Sequence, residues 1–122
     1  MADEITLTLP CEEEFTGVAH LVLGGLAARI DLTVDHLEDL QIAVDGLLER
    51  RPAAGSVTVA VTVDDGLLRT AVGPFEPTAL DDLEREDASL GLRRILDTVC
   101  DTVELEERNG DRWVQLTKRT AG

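Results

Sequence analysis

The sequence predicts an α+β domain in which helices cover one face of a β-sheet. In five short stretches apolar residues alternate with polar ones, the period of half-buried strands. In three others apolar residues recur every three or four positions, the spacing of helices with one buried side. Elements with a single apolar face bury it by packing in layers. We therefore expect a two-layer sandwich, with about three helices on one face of a mixed, mostly antiparallel sheet.

Length and composition indicate a single domain spanning residues 1–122. Hydrophobic residues make up 43% of the chain, enough for a core. No run of about 18 apolar residues indicates a membrane span, and the N-terminus lacks the features of a secretory signal. Cys11 and Cys100 are too few for a disulfide framework and lack metal-site spacing. A cytoplasmic protein with reduced thiols and no metal site is therefore expected.

Charge is the strongest global property of the sequence. The chain has 25 acidic and 11 basic residues, which gives a net charge of −14 at pH 7. Such a field repels nucleic acid and anionic membranes and favours basic partner surfaces. We therefore expect neither nucleic acid nor membrane as a partner. An acidic surface that only keeps the protein in solution would account for the charge equally well.

Three stretches have helical spacing. The first covers about residues 13–30, and the second begins at Thr33, a suitable N-cap, and ends before Pro52. The third follows Ser89, and Gly91 near its start suggests close approach of another backbone. The residues predicted to be buried, helix by helix, are Phe15, Val18, Ala19, Val22, Leu26 and Ile30; Leu37, Leu40, Val44, Leu47 and Leu48; and Leu92, Ile95, Leu96 and Val99.

Alternation predicts strands over about residues 5–9, 57–63, 67–72, 103–106 and 113–118. Asn109-Gly110 joins the last two and is typical of a type I′ turn, which needs positive φ at both central residues. At Gly73 the third strand is expected to end and to open an acidic loop that reaches about residue 88. The predicted order is therefore β-α-α-β-β-loop-α-β-β.

That order, together with four sequence phrases, resembles the histidine-kinase-like (GHKL, or Bergerat) ATPase fold. The phrases lie at residues 39–45, 73–77, 90–92 and 114–118. Within this superfamily the chain is most similar to the small anti-sigma factor serine kinases, and the similarity covers about residues 5–119. The resemblance implies three nucleotide-binding devices, whose positions can be located in this sequence.

The first device is a Glu on the second helix followed four residues later by an Asn. In such proteins the carboxylate binds a water molecule, and the Asn side chain coordinates Mg²⁺ beside the phosphates. The corresponding positions here are Asp45 and Glu49. Asp45 would be the catalytic residue of an active kinase. Two carboxylates one turn apart would also repel a polyphosphate, and a solvated helix face is the alternative interpretation.

The second device is an Asp-x-Gly-x-Gly loop whose Asp binds the adenine amino group. Alignment on Gly73 places Ala71 at the Asp position, whereas alignment on Phe75 places Thr70 there. Neither residue is a carboxylate, and the Ala71 side chain cannot accept a hydrogen bond. The resemblance therefore implies a degenerate adenine site at these positions.

The third device is a glycine-rich lid before the last helix, where free backbone N–H groups hold phosphate. Gly91 matches the last lid glycine, and either a phosphate contact or a packing role is compatible with it. The preceding residues include Glu84, Glu86 and Asp87, whose charge has the wrong sign for a triphosphate.

Three functions follow as hypotheses. The preferred one is an anti-sigma-factor-like regulatory protein with a degenerate ATP site, which binds a sigma factor, a STAS-domain anti-anti-sigma protein, or both. It needs no cofactor and is not an enzyme. The second is an active serine kinase that uses ATP and Mg²⁺ and phosphorylates the STAS partner. The third is an acidic regulatory or oligomeric subunit unrelated to sigma factors. A homodimer is expected by resemblance alone.

Overall fold

The computed structural model describes residues 3–29, 32–64, 66–84 and 91–119. Its elements occur in the predicted order. They are β1 (Asp3–Pro10), a short 3-10 helix (Glu13–Phe15), α1 (Thr16–Arg29), α2 (Val34–Leu48), β2 (Ser56–Asp64), β3 (Leu67–Phe75), a second 3-10 helix (Pro77–Glu84), α3 (Leu92–Val99), β4 (Thr102–Arg108) and β5 (Asp111–Arg119). The second 3-10 helix is called the 3-10 segment below.

The five strands form one sheet in the order β1-β2-β3-β5-β4. Every neighbouring pair in this described sheet is antiparallel, so the expected parallel component of a mixed sheet is not found in it. Asn109 and Gly110 have φ values of 53° and 86° between β4 and β5, which confirms the predicted left-handed turn. The α+β prediction, with strands in one layer and helices in the other, is confirmed.

Alternate residues of each strand face the helices and form one apolar core with them. The predicted buried positions of α2 are confirmed, apart from Leu37, which is half-buried. In α1 the buried side differs from the prediction: Leu23 is buried, whereas Val18 is 38% exposed. Because α1 is apolar on nearly every side, its spacing could not indicate which side faces the sheet. Ile95 of α3 was also predicted to be buried, and it is 44% exposed.

The chain after β3 differs from the predicted acidic loop. β3 continues through Gly73 and a cis Gly73–Pro74 peptide bond to Phe75, which pairs with Arg112 after a break in register. The 3-10 segment follows, and its Leu80 and Leu83 are completely buried. This stretch is therefore part of the core.

A half-buried lysine joins the C-terminal end of α3 to α2. Lys118 Nζ on β5 donates to Asp39 Oδ2 at 3.0 Å and to the Val99 carbonyl oxygen at 2.7 Å. A cation at the last carbonyls of a helix also stabilises the helix dipole. Cys100 follows α3 directly, and burial raises its thiol pKa to about 11, against the opposing influence of the Lys118 charge. Lys118 thus fixes the position of α3 relative to α2.

The face of the sheet opposite the helices has one close backbone contact. The Trp113 indole lies over Gly73 so closely that a Cβ at position 73 would lie 2.5 Å from ring atom Cδ2. The Arg108 guanidinium carbon is 4.8 Å from the centroid of the same ring, a cation–π contact. Gly73 is therefore required because the indole occupies the space of a side chain.

We predict that Gly73→Ala destabilises the protein by about 1–3 kcal/mol, because the new methyl group would overlap the Trp113 ring. Gly25→Ala is the matched control, since Gly25 is exposed in α1 with open space around it. The control should stabilise the protein by up to about 1 kcal/mol through helix propensity. Urea denaturation measures the free energy of unfolding of both variants. Equal stability of Gly73→Ala and the wild type would contradict the close contact.

We also predict that native Cys100 reacts slowly with iodoacetamide. Its pKa of about 11, against 9.0 for an ordinary thiol, leaves about a hundredfold less thiolate at pH 8. In a Cys11→Ala background the alkylation rate should be at least about a hundredfold lower in the native protein than in urea. The raised pKa also makes the free energy of unfolding depend on pH. Between pH 9 and about 11 the unfolded thiol loses its proton before the native thiol does, so the free energy of unfolding falls as pH rises. Native and unfolded rates within about tenfold would contradict the burial.

Candidate functional site

Asp45 and Glu49 lie at a polar cavity on the α1 side of α2. Asp45 Oδ1 is 2.5 Å from Nε2 of His20 on α1. Asp45 and Glu49 line a cavity of about 420 Å³, together with Thr16, Leu48 and Arg51. The structure therefore brings the two predicted residues together, and the Asp45 carboxylate already has an imidazole partner. Sequence spacing alone gave no indication of the contact between His20 and Asp45.

The residues one position further along α2 face the 3-10 segment and α3. A Cβ at Gly46 would meet the Leu92 side chain at the start of α3. Arg50 Nη1 donates to the Ala79 carbonyl oxygen of the 3-10 segment at 3.2 Å. A glycine of α2 and an arginine two residues after its end, also four residues apart, thus lie toward α3 and the 3-10 segment. Neither supplies an oxygen ligand for Mg²⁺.

Thr70 and Ala71 lie on opposite faces of β3. Thr70 is 1% exposed and pairs with Val61 and Leu116, which belong to the core. Ala71 pairs with Ala60 and Gln115 on the face that the helices leave uncovered. Gly73 shares that face with Ala71, because alternate residues of a strand point the same way. Of the two alignments for the adenine contact, only the one that uses Thr70 places a residue on the helix side.

Gly91 is the N-cap of α3 and has a φ of 113°. Among the described residues a Cβ at this position would meet no atom within 4 Å, so the predicted close backbone approach is not found there. The glycine is required by its positive φ, which L side chains rarely adopt. Gly91 lines a different cavity from the one at Asp45 and Glu49. Residues 85–90, including Ser89 and the acidic Glu86 and Asp87, lie outside the described residues.

The 3-10 segment fills the space between α2, α3 and the end of β3. Its completely buried Leu80 and Leu83 belong to the same apolar cluster as Phe75, Leu47 and Leu92. Side chains of this kind offer a nucleotide neither a phosphate ligand nor a partner for the adenine edge. The spacing of Leu80 and Leu83, three residues apart, was the sequence signal for this burial, and the surrounding acids obscured it.

Three arginines bind carbonyl oxygens of the 3-10 segment. Besides Arg50, Arg93 Nη1 donates to the Leu83 oxygen at 2.6 Å. Arg112 Nη1 donates to the Pro77 oxygen at 3.1 Å. Hydrogen bonds from charged donors are stronger than neutral ones. The segment is therefore held from α2, α3 and β5, and sequence reasoning did not predict these contacts.

These residues do not fit a magnesium–nucleotide complex in the predicted manner. Between residues 3 and 119, the described parts of the chain contain no group of three or more His, Cys, Asp or Glu that could hold a metal ion. The Asp45 carboxylate is bound to His20, and the side of α2 that faces α3 packs in an apolar cluster.

The part of the chain that the structure describes has no helix with the length and apolar content that crossing a membrane requires.

Comparison with known proteins gives a consistent set of relatives. No protein-family model matches the chain. The serine-protein kinase RsbW of Bacillus subtilis (strain 168) is 27% identical over 144 aligned residues, which cover 99% of this chain and 88% of the kinase. RsbW of Bacillus velezensis is 28% identical over a region that covers 98% of this chain and 88% of that kinase. RsbW of Listeria monocytogenes serotype 4a is 43% identical over 44 residues, which are 36% of this chain and 28% of that kinase.

A solved structure has the same fold. The crystal structure of the RsbU and RsbW domains of a Mycobacterium tuberculosis protein superposes with a TM-score of 0.70 at 16% identity. The match covers 96% of this chain and 32% of that one, so the present chain spans about a third of the two-domain protein. The chain is therefore a homologue of the RsbW serine-protein kinases and shares their histidine-kinase-like fold.

Proposed function

We propose that this chain is an anti-sigma-factor-like regulatory protein that acts by binding another protein and has lost the kinase chemistry of its relatives. The observation that carries the proposal is the packing of the 3-10 segment. Leu80 and Leu83 are completely buried in the same core cluster as residues of α2 and α3, and three arginines hold the segment there. A polar triphosphate would have to displace a packed apolar core.

The residues of α2 support the loss of nucleotide binding. Gly46 and Arg50, on the side that faces α3, offer no oxygen ligand for Mg²⁺. Asp45 is joined to His20 on the other side of the helix. With a net charge of −14, the chain also lacks a general attraction for a polyanion. The roles that resemblance assigns to Asp45, Glu49, Thr70, Ala71, Gly73 and Gly91 stay predictions.

The partner is a protein with a basic surface. A sigma factor, a STAS-domain anti-anti-sigma protein or both are the partners that the family implies. The acidic surface favours association with basic segments through electrostatic attraction. The expected homodimer also stays a prediction. A partner unrelated to sigma factors is the remaining alternative, which a sigma factor bound by the purified chain would exclude.

We predict that Mg-ATP leaves the melting temperature unchanged. A ligand at 100 times its Kd adds about 2.7 kcal/mol to the free energy of unfolding, which would raise the melting temperature by several degrees. The measurement is a thermal unfolding scan with and without millimolar Mg-ATP, with the Bacillus subtilis RsbW kinase as the positive control. A shift of this chain comparable to that of the kinase would contradict the proposal.

An active kinase is the second candidate, and one observation favours it. The relatives that align over nearly the whole chain carry the name serine-protein kinase, and the alignment covers 88% of their length. In this candidate Asp45 would be the base, with its carboxylate positioned by His20. The identity of 27–28% leaves room for either outcome at the site.

For the kinase candidate we predict no transfer of labelled γ-phosphate from ATP to a STAS-domain protein by this chain, because Asp45 is paired with His20 and Gly46 and Arg50 offer Mg²⁺ no oxygen ligand. The assay runs beside Bacillus subtilis RsbW and beside an Asp45→Asn variant, which removes the base while keeping the shape of the side chain. Transfer by the wild type that Asp45→Asn abolishes would establish the kinase and overturn the proposed loss of chemistry.

A further inference from the structure

An apolar groove runs between α2 and α3 on the outer side of the helix layer. Its volume is about 460 Å³, and its walls are almost entirely apolar. The residues that line it are Ile42, Gly91, Arg94, Ile95, Thr98 and Val99. This groove is separate from the polar cavity at Asp45, and no residue lines both.

Two large apolar side chains are left exposed in this groove. Ile42 is 48% exposed and Ile95 is 44% exposed, although Leu92 and Leu96 of the same helix α3 are buried. Half-exposed isoleucines on two neighbouring helices form a continuous apolar surface, which is typical of a recognition site. Burying both side chains against a partner would stabilise the complex, because apolar surface that stays in contact with water in the free protein would be removed from it.

The groove has a fixed shape in the free protein. Lys118 binds Asp39 of α2 and the Val99 carbonyl of α3, so it joins the two walls directly. Gly46 of α2 is in close contact with the Leu92 side chain beneath the groove. A preformed site costs less ordering entropy on binding than one that must first assemble.

Carboxylates flank the groove along α2. Glu38 lies four residues before Ile42, so the two share one side of the helix. Asp35 is also exposed one turn before Glu38. The α3 wall carries Arg94, a residue of opposite charge. A segment seated here therefore meets an apolar floor, negative charge along α2 and positive charge on α3.

We propose that this groove binds an amphipathic helix of a partner protein, with apolar residues at i, i+3, i+4 and i+7 in the groove and lysine or arginine residues over α2. An amphipathic helix in a hydrophobic groove is a common mode of recognition. The proposal rests on the proposed function, because it locates the surface through which the regulatory protein would bind its partner.

The charges distinguish this occupant from two others. A second copy of the chain would bring another net charge of −14 against the acidic side of α2. A nucleotide would place phosphates against an almost wholly apolar lining. A basic helix satisfies both the apolar floor and the acidic wall.

The experiment measures binding of a synthetic peptide of about 15 residues, matched to the length of α2, by fluorescence anisotropy. The peptide contains only leucine and lysine, with leucine at i, i+3, i+4 and i+7 and a fluorophore at its N-terminus. A scrambled peptide of the same composition and an analogue with glutamate in place of lysine serve as references. We expect the amphipathic lysine peptide to bind at least about tenfold more tightly than either.

Matched variants test the location. Ile95→Asp should weaken binding at least about tenfold, and Glu38→Lys should weaken it and reduce its salt dependence. Leu21→Asp is the control, because Leu21 is 78% exposed on α1 and the substitution adds the same charge outside the groove. Circular dichroism checks that each variant is folded.

Binding by Ile95→Asp that is no weaker than binding by the Leu21→Asp control would show that the attraction is non-specific and would overturn the proposal. No preference for the amphipathic lysine peptide would do the same. A dimer in light scattering that Ile95→Asp dissociates would assign the groove to a second copy instead. The assay contains no nucleotide, so its failure is distinguishable from a failure of the proposed function, which the Mg-ATP scan and the phosphate-transfer assay report.

Discussion

The packing of the 3-10 segment is the constraint on which the rest of the helix layer depends. Its carbonyl oxygens accept hydrogen bonds from Arg50 in the turn after α2, Arg93 of α3 and Arg112 of β5. The guanidinium groups satisfy backbone oxygens that would otherwise lose their hydrogen bonds to water near the buried Leu80 and Leu83. With the segment in place, the end of β3, α2 and α3 form one continuous apolar unit.

The helix α2 presents a different chemistry on each of its sides. Asp45 faces α1 and pairs with His20, whereas the next residue, Gly46, faces α3. One residue turns a helix by about 100°, so a shift of one position in an alignment exchanges one set of neighbours for another. The outer side carries the exposed Ile42 and, one turn before it, the exposed Glu38. The same fifteen-residue helix therefore separates the polar cavity from the apolar groove.

The strands and α2 could be predicted from sequence because one side of each is apolar and the other polar. Such contrast is missing in α1, where Val18 and Ala19 are both apolar and only one is buried. The 3-10 segment was hidden because its two core leucines stand among acids and lack a longer periodic run. The alternation in β3 did indicate that Thr70 and Ala71 lie on opposite faces, because Leu68 and Val72 mark the face that is buried against the helices and Thr70 lies between them. Contacts such as His20 with Asp45 depend on tertiary packing and leave no trace in spacing.

The position of Trp113 has a consequence for spectroscopy. The chain has one tryptophan and no tyrosine, so its intrinsic emission comes from this indole. The ring lies over Gly73 beside Arg108, on the side of the sheet that faces away from the helices. Its fluorescence therefore reports the environment of the exposed sheet surface and the end of β3. Events confined to the helical layer leave that optical signal nearly constant and call for a label attached to the helices themselves.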